Sequence, residues 1–191
     1  MRVLMHICCA HCALYPGMVM KDRGFSVRGL WFNPNIHPFT EYRSRLDAVR
    51  QLQQLQGLDV EYAGGYGLTE FLRNVVHAEE RRCEYCYMVR LETTARRARE
   101  EGFDAFTTSL LVSPYQKFDM ITEMGRMLGK RYSVEFYAED FRDGFARGRQ
   151  MGRDLGLYRQ KYCGCIYSEM ERYVRSRRAS ADPADCRAGN R

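Results

Sequence analysis

The 191-residue sequence predicts a single α/β domain with a parallel, Rossmann-like sheet and a helical C-terminal part. Short apolar runs alternate with stretches of helical periodicity, the pattern of βαβ units. Glycines fall just past the helical stretches. Cysteine, asparagine and histidine, residues suited to chemistry, fall directly after the apolar runs.

Val3 to Ile7 is the first strand and runs straight into Cys8-Cys9. Ala13 to Arg23 is helical, with Gly24 placed as its stop. Val27 to Phe32 is the second strand, and the two prolines and two asparagines of Asn33-Pro34-Asn35-Ile36-His37-Pro38 then fix a loop. Glu41 to Gln56 is a helix with Leu46, Val49, Leu52 and Leu55 on one face and Gly57 at its end. Val60 to Ala63 is the third strand, and Leu68 to Val76 a short helix. Cys86 to Glu101 is a strong helix closed by Gly102, followed by a fourth strand at Ala105 to Thr108 and a loop at Ser109 to Tyr115. Lys117 to Leu128 is helical with Phe118, Ile121 and Met124 inward, and Val134 to Tyr137 is the last strand. The remainder, to about Arg178, is helical around a Cys163-Gly164-Cys165 turn.

Such alternation requires a parallel sheet covered on both faces, and ligands collect beyond the carboxyl ends of its strands. Cys8-Cys9, Asn33 to Pro38 and Ser109 to Tyr115 follow the first, second and fourth strands, so all three should face one crevice. This is a Rossmann-like, HUP-like arrangement. One catalytic domain is expected over residues 1–178, and a disordered tail over 179–191, where large apolar residues are missing.

Composition bounds the function. No apolar run approaches the roughly 20 residues that span a bilayer, and Met1 to Ile7 is too short for a signal peptide. A cytoplasmic location without membrane contact is expected. The net charge of +6 suits a polyanionic partner, because cations that neutralise phosphates release condensed counterions.

The eight cysteines are more informative. Cytosolic thiols stay reduced, so clustered ones more often bind metal or do redox chemistry than form a disulfide framework. Seven fall in three groups: Cys8, Cys9 and Cys12; Cys83 and Cys86; Cys163 and Cys165. Cys186 stands alone. Thiolate is a soft ligand suited to zinc, copper(I) and iron–sulfur clusters. The groups lie too far apart for a zinc ribbon. An adjacent cysteine pair is expected to diverge, which favours a larger iron–sulfur cluster over one small ion.

These residues also carry a resemblance. His6-Ile7-Cys8-Cys9-Ala10-His11-Cys12 resembles the opening motif of the QueH-type epoxyqueuosine reductases, with His11 where that family usually has proline. Asn33 to Pro38 with Glu41-Tyr42, Arg82-Cys83-Glu84-Tyr85-Cys86, Phe106 to Pro114 and Tyr158 to Ser168 are similar to its other motifs, in order. The resemblance covers about residues 3 to 173 and implies reduction of epoxyqueuosine to queuosine at the wobble position of tRNA.

By position it implies that Cys8, Cys9, Cys83 and Cys86 ligate a [4Fe–4S] cluster. Cys163 and Cys165 then form a redox-active dithiol or, with Cys12, hold a second mononuclear iron; both uses stay open. No flavin or nicotinamide fingerprint is present, so an external electron donor is expected. His37, between prolines at the crevice, is a candidate for proton donation or substrate contact, and His11 is a weaker one. His6, His77, Asp104 and Asp140 are expected to be structural.

Arg81, Arg82, Arg90, Arg96, Arg97 and Arg99 form a basic stretch at the Cys86 helix. They either pair with Glu92, Glu100 and Glu101 on a solvated face or contact tRNA phosphates, with Arg81, Arg82, Arg96, Arg97 and Arg99 the candidates. Tyr85, Tyr87, Tyr115, Tyr158 and Tyr162 are candidate stacking partners for unpaired bases. The rival readings are a tRNA-thiolation enzyme and a metal-stabilised tRNA-binding module. The first usually needs a Gly- and Ser-rich phosphate loop where this chain has Cys-Cys-Ala-His-Cys.

Overall fold

The structure is a computed structural model that describes residues 1–180, with side chains through residue 174. Five strands form one parallel sheet: β1 (Arg2–His6), β2 (Ser26–Trp31), β3 (Val60–Tyr62), β4 (Ala105–Thr108) and β5 (Glu135–Phe136), in the order β3-β2-β1-β4-β5. That is the Rossmann order 3-2-1-4-5-6 over its first five strands. Strand β1 lies at the centre between β2 and β4, and Val3, Leu4, Met5, Ala105 and Phe106 are fully buried. A strand covered on both faces reads as a continuous apolar run, and for that reason β1 was legible.

Seven helices surround the sheet: α1 (Ala10–Asp22), α2 (Phe39–Gln56), α3 (Leu68–Val75), α4 (Arg82–Glu100), α5 (Phe118–Tyr132), α6 (Phe145–Asp154) and α7 (Ile166–Ser180). Helix α4 packs on α5, and α1 packs on α6. The second packing needs small residues. A Cβ added at Gly144 would run into the Tyr15 ring, and one at Gly152 would run into the His11 ring.

Three helix boundaries differ from expectation. Helix α1 begins at Ala10 because extended Cys9 (φ −168°, ψ 163°) caps it, its sulfur accepting the Cys12 N–H at 3.4 Å. Helix α4 begins at Arg82, after a 3₁₀ turn at Glu79–Arg81, so Cys83 and Cys86 lie three residues apart on one helical face. Helix α5 runs past Leu128 to a left-handed Ser133 (φ 52°). Residues 179 and 180 of the expected tail belong to α7, whereas 181–191, with Cys186, lie outside the described residues.

Candidate metal centre and cleft

The carboxyl end of β1 delivers the first cysteine group. Cys8, Cys9 and Cys12 are buried, and their sulfurs all lie within 4.8 Å of one another. The Cys8 and Cys9 sulfurs are 4.0 Å apart, and two thiolates on one tetrahedral ion at about 2.3 Å would sit about 3.8 Å apart. The expectation that the adjacent pair diverges is therefore corrected. The extended backbone at Cys9 turns its sulfur back over the start of α1, beside those of Cys8 and Cys12. Hydrogen bonds from Cys12, Cys9 and Ser109 hold the Cys8 thiol well below the ordinary range, and the Cys12 thiol is correspondingly raised. Ser109, from the loop after β4, donates to the Cys8 sulfur at 3.3 Å.

Among the described residues the other four cysteines form a second group. Cys86 and Cys165 are buried in one small cluster with Phe71 and Val75 of α3. Burial pushes the Cys86 thiol up to about 12, with Arg90 pulling it down and Cys163, Cys165 and Cys83 adding to the rise. Buried Arg90, one turn along α4 from Cys86, has its charge favoured by Cys86, Cys163 and Cys8 against the cost of burial. It is 2% exposed and donates to the Cys86 sulfur at 3.0 Å, and among the described residues no carboxylate pairs with it.

The Cys163–Cys165 turn is held by the loop after β2. Arg45 of α2, buried and paired with Glu41 at 2.7 Å, donates to the carbonyls of Cys163 (2.8 Å) and Tyr162 (2.9 Å). His37 N–H donates to the Gly164 carbonyl at 2.8 Å, and the Tyr162 hydroxyl donates to the His37 carbonyl at 2.7 Å. Cys163 is exposed and its sulfur accepts from Gln116 at 3.4 Å, whereas Gln160 donates to the Cys9 sulfur at 3.0 Å.

Between the groups opens a cleft of about 370 Å³, with Cys8, Cys12 and Cys163 in its wall. It lies beyond the carboxyl ends of β1, β2 and β4, where such folds bind ligands. Among the described residues six cations and no carboxylate line it: Arg45, Arg90, Arg149, Arg159, Lys161 and Arg172.

Relatives of known chemistry share this sequence. The family profile described as Epoxyqueuosine reductase QueH matches residues 3–171. The chain is 40% identical over 172 residues to the epoxyqueuosine reductase QueH of Dehalococcoides mccartyi, covering 90% of this chain and 94% of that protein. This chain belongs to the QueH family. The QueH protein of Thermotoga maritima is 36% identical over 180 residues, covering 89% of this chain and 91% of that one. Among solved structures, a U34-tRNA thiolase, NcsA from Methanococcus maripaludis, determined with its [4Fe-4S] cluster, aligns with TM-score 0.59 at 18% identity. That alignment covers 87% of this chain and 61% of the thiolase. A predicted tRNA methyltransferase subunit of Methanocaldococcus jannaschii aligns with TM-score 0.52 at 12% identity, covering 80% of this chain and 76% of that one. At these identities both show the fold alone.

For a QueH-family oxidoreductase, the geometry sorts the other candidate residues. His37 is fully buried against Phe71 and Tyr66, and its ring is not part of the cleft wall. Burial depresses its pKa to about 4. His11 is in the wall, and its ring lies against Gly152 of α6. His6 bridges Thr108 and the Asn33 loop, Asp104 accepts the Arg2 N–H, and Asp140 pairs with Arg142, all structural uses. In the basic stretch at α4, Arg81 of the preceding turn pairs with Glu84, Arg82 with Glu171, Arg96 with Glu100 and Arg97 with Glu61, whereas Arg99 is exposed. Tyr87, Tyr158 and Tyr162 are tied by their hydroxyls to Gln116, Glu41 and His37; Tyr115 is 79% exposed at the cleft mouth.

Sequence reasoning did not find Gln160, Gln116 or Arg45, nor, apart from Arg90, the cations of the cleft wall. A signal existed for Arg45, which follows Glu41 by four residues on a helix. Gln160 lay inside the Tyr158–Ser168 motif without a role of its own.

Proposed function

We propose that this chain reduces epoxyqueuosine to queuosine in tRNA, using electrons from an iron–sulfur cluster held by its grouped cysteines. Family membership supports the reaction. The observation that carries the cofactor is the three-sulfur group at the end of β1, buried and opening on a cleft without carboxylates.

The donor set fits such a cofactor. Buried thiolates suit iron and sulfide, and a buried guanidinium without a carboxylate partner offsets the charge they bring. Cys8 and Cys9 from β1, with Cys83 and Cys86 from α4, are the proposed [4Fe–4S] ligands. Cys163 and Cys165 serve as a dithiol or, with Cys12, hold a second iron. When bound, the cofactor supplies electrons and an electrophilic iron for the departing oxygen. The remaining roles belong to the chain. Gln160 and Gln116 place amide donors beside sulfurs, and the Arg45 clamp keeps Cys163 at the cleft wall. An external donor restores the electrons after each turnover.

The reaction consumes two electrons and two protons and releases the epoxide oxygen as water, leaving the alkene. The strand order and the position of the cleft support a HUP-like form of the Rossmann fold. The test is anaerobic purification with iron analysis and visible spectroscopy, followed by nucleoside analysis of tRNA from a strain lacking the gene. Brown, iron-loaded protein and epoxyqueuosine in place of queuosine are expected. Colourless zinc-loaded protein would remove the cofactor, and unchanged queuosine would remove the reaction.

A further inference from the structure

We infer that the mouth of the cleft is the RNA-binding surface, with Arg149, Arg159, Lys161 and Arg172 taking backbone phosphates and Tyr115 with Phe145 stacking an unpaired base. This rests on the proposed action on tRNA and names the surface that would do it.

Ion pairing separates two sets of cations. In the turn before α4 and on α4 itself, where basic residues are densest in sequence, four of the five candidate arginines are held by carboxylates within 3.2 Å. Those charges are largely compensated before any RNA arrives. The four mouth cations come from three separate elements, α6, the segment before Cys163, and α7, and none forms an ion pair among the described residues. Arg159, Lys161 and Arg172 are exposed, and among the described residues no Asp or Glu lines the cleft to compensate them. Uncompensated cations converging on one opening attract a polyanion, and phosphate contacts orient it.

The aromatic side chains at the mouth point independently to the same ligand. Tyr115 is 79% exposed, the most exposed large apolar side chain among the described residues. Its ring meets Phe145 edge to face at 5.8 Å, and the Arg149 guanidinium lies 5.6 Å from the Phe145 ring centre. An exposed aromatic edge beside a cation is the equipment of proteins that stack splayed single-stranded bases. A cleft of about 370 Å³ below that edge suits one flipped base and its ribose, not a duplex.

The test uses a fluorescein-labelled, unmodified anticodon stem-loop RNA and anisotropy titrations of the iron-loaded protein over a range of salt. A variant carrying Arg159→Gln, Lys161→Gln and Arg172→Gln should bind more weakly, and its log affinity against log salt should flatten by roughly 0.7 for each phosphate no longer neutralised. Tyr115→Ala should weaken binding roughly tenfold with the slope unchanged. An Arg96→Gln, Arg97→Gln, Arg99→Gln protein supplies the competing arm. If it carries the loss while the mouth variant keeps wild-type slope and affinity, the phosphates run along α4 and the inference is overturned. Should the triple mouth variant fail to fold, the single Arg159→Gln and Lys161→Gln proteins, both altered in exposed loop positions, read the same slope. Binding is measured without turnover, so RNA held at the mouth by a protein that reduces nothing would sink the proposed reaction and leave this surface standing. Wild-type RNA binding by the mouth variants in an active enzyme would do the reverse.

Discussion

The Arg90 guanidinium sits one helical turn beyond Cys86 and donates to both its carbonyl, at 2.7 Å, and its sulfur, at 3.0 Å. A full positive charge is thereby buried against a cysteine, with the cleft on its other side. Buried ions are costly unless an opposite charge or several hydrogen bonds compensate them. Here the two hydrogen bonds to Cys86 supply part of that compensation, and no carboxylate among the described residues supplies the rest.

That arrangement makes Arg90 a control on potential. Replacing it with Met removes a cation 3.0 Å from the Cys86 sulfur, which should shift the midpoint potential of a cluster by on the order of 100 mV to more negative values. Arg90→Lys should restore most of that shift. Redox titration followed by visible absorption reads it directly. An unchanged potential in a fully iron-loaded Arg90→Met protein would mean that the charge is not felt by the cluster.

The packing of α1 on α6 leaves no room for a methyl at Gly152. Gly152→Ala drives one into the His11 ring, directly behind the Cys8–Cys12 group. Overpacking of this kind costs about 1–3 kcal/mol. Urea denaturation should show that loss, and iron content should fall with it because α1 carries Cys12. A variant as stable as the parent would show that His11 has room to swing away.

His37 sets an acid limit on stability. Its folded pKa of about 4 lies below the ordinary 6.5, so the unfolded chain binds the extra proton first as pH falls. The stability it contributes is therefore intact above about 6.5 and is lost on acidification toward 4. Between pH 7.5 and 5 the loss should be about 2 kcal/mol. His37→Gln, which does not titrate, should lose less over the same interval. His6, depressed to about 3 by burial and then by Arg90, acts equally in both proteins and cancels. Parallel urea midpoints at the two pH values would show that His37 is not held neutral by the fold. A neutral, fully buried ring also leaves reduction without a His37-dependent limb near neutral pH.

Much of the fold was legible because its central strand is apolar on both faces and its helices end at glycine. Helix starts were less so. A cysteine sulfur capped α1 where Ser, Thr, Asp or Asn would have announced it, and a 3₁₀ turn concealed the first residues of α4. The cysteine groups were visible by spacing, but the return of the Cys9 sulfur over Cys8 is a property of backbone angles that spacing does not carry. Charge density along the chain pointed to α4, where glutamates one turn away answer the arginines. The mouth cations are scattered in sequence, and only the fold collects them.

The Cys163–Cys165 pair gives the sharpest test of turnover. Gly164 between them holds φ at 149°, a conformation that residues with a Cβ rarely adopt, so the turn is built for glycine. The two thiols are presented differently. Cys163 is exposed at the cleft wall beside Gln116, and Cys165 is buried beside Cys86, its sulfur accepting the Ser168 N–H at 3.4 Å. As a dithiol the pair would replace in balance what turnover draws from the cofactor: two thiols give up two electrons and two protons and become a disulfide, matching the two electrons and two protons that turn the epoxide into an alkene and water. Cys163→Ser should then keep full iron and the parent visible spectrum, bind the stem-loop RNA normally, and reduce epoxyqueuosine at least 100-fold more slowly, roughly the loss on removing one essential group. Cys165→Ser should behave alike in turnover, with a modest stability cost for burying a hydroxyl among Phe71 and Val75. Loss of a single iron beyond the cluster in both variants would assign the pair to a second metal instead. Loss of the whole visible spectrum would make the two cysteines cluster ligands, and undiminished turnover would reduce them to part of the loop that Arg45 and His37 hold in place.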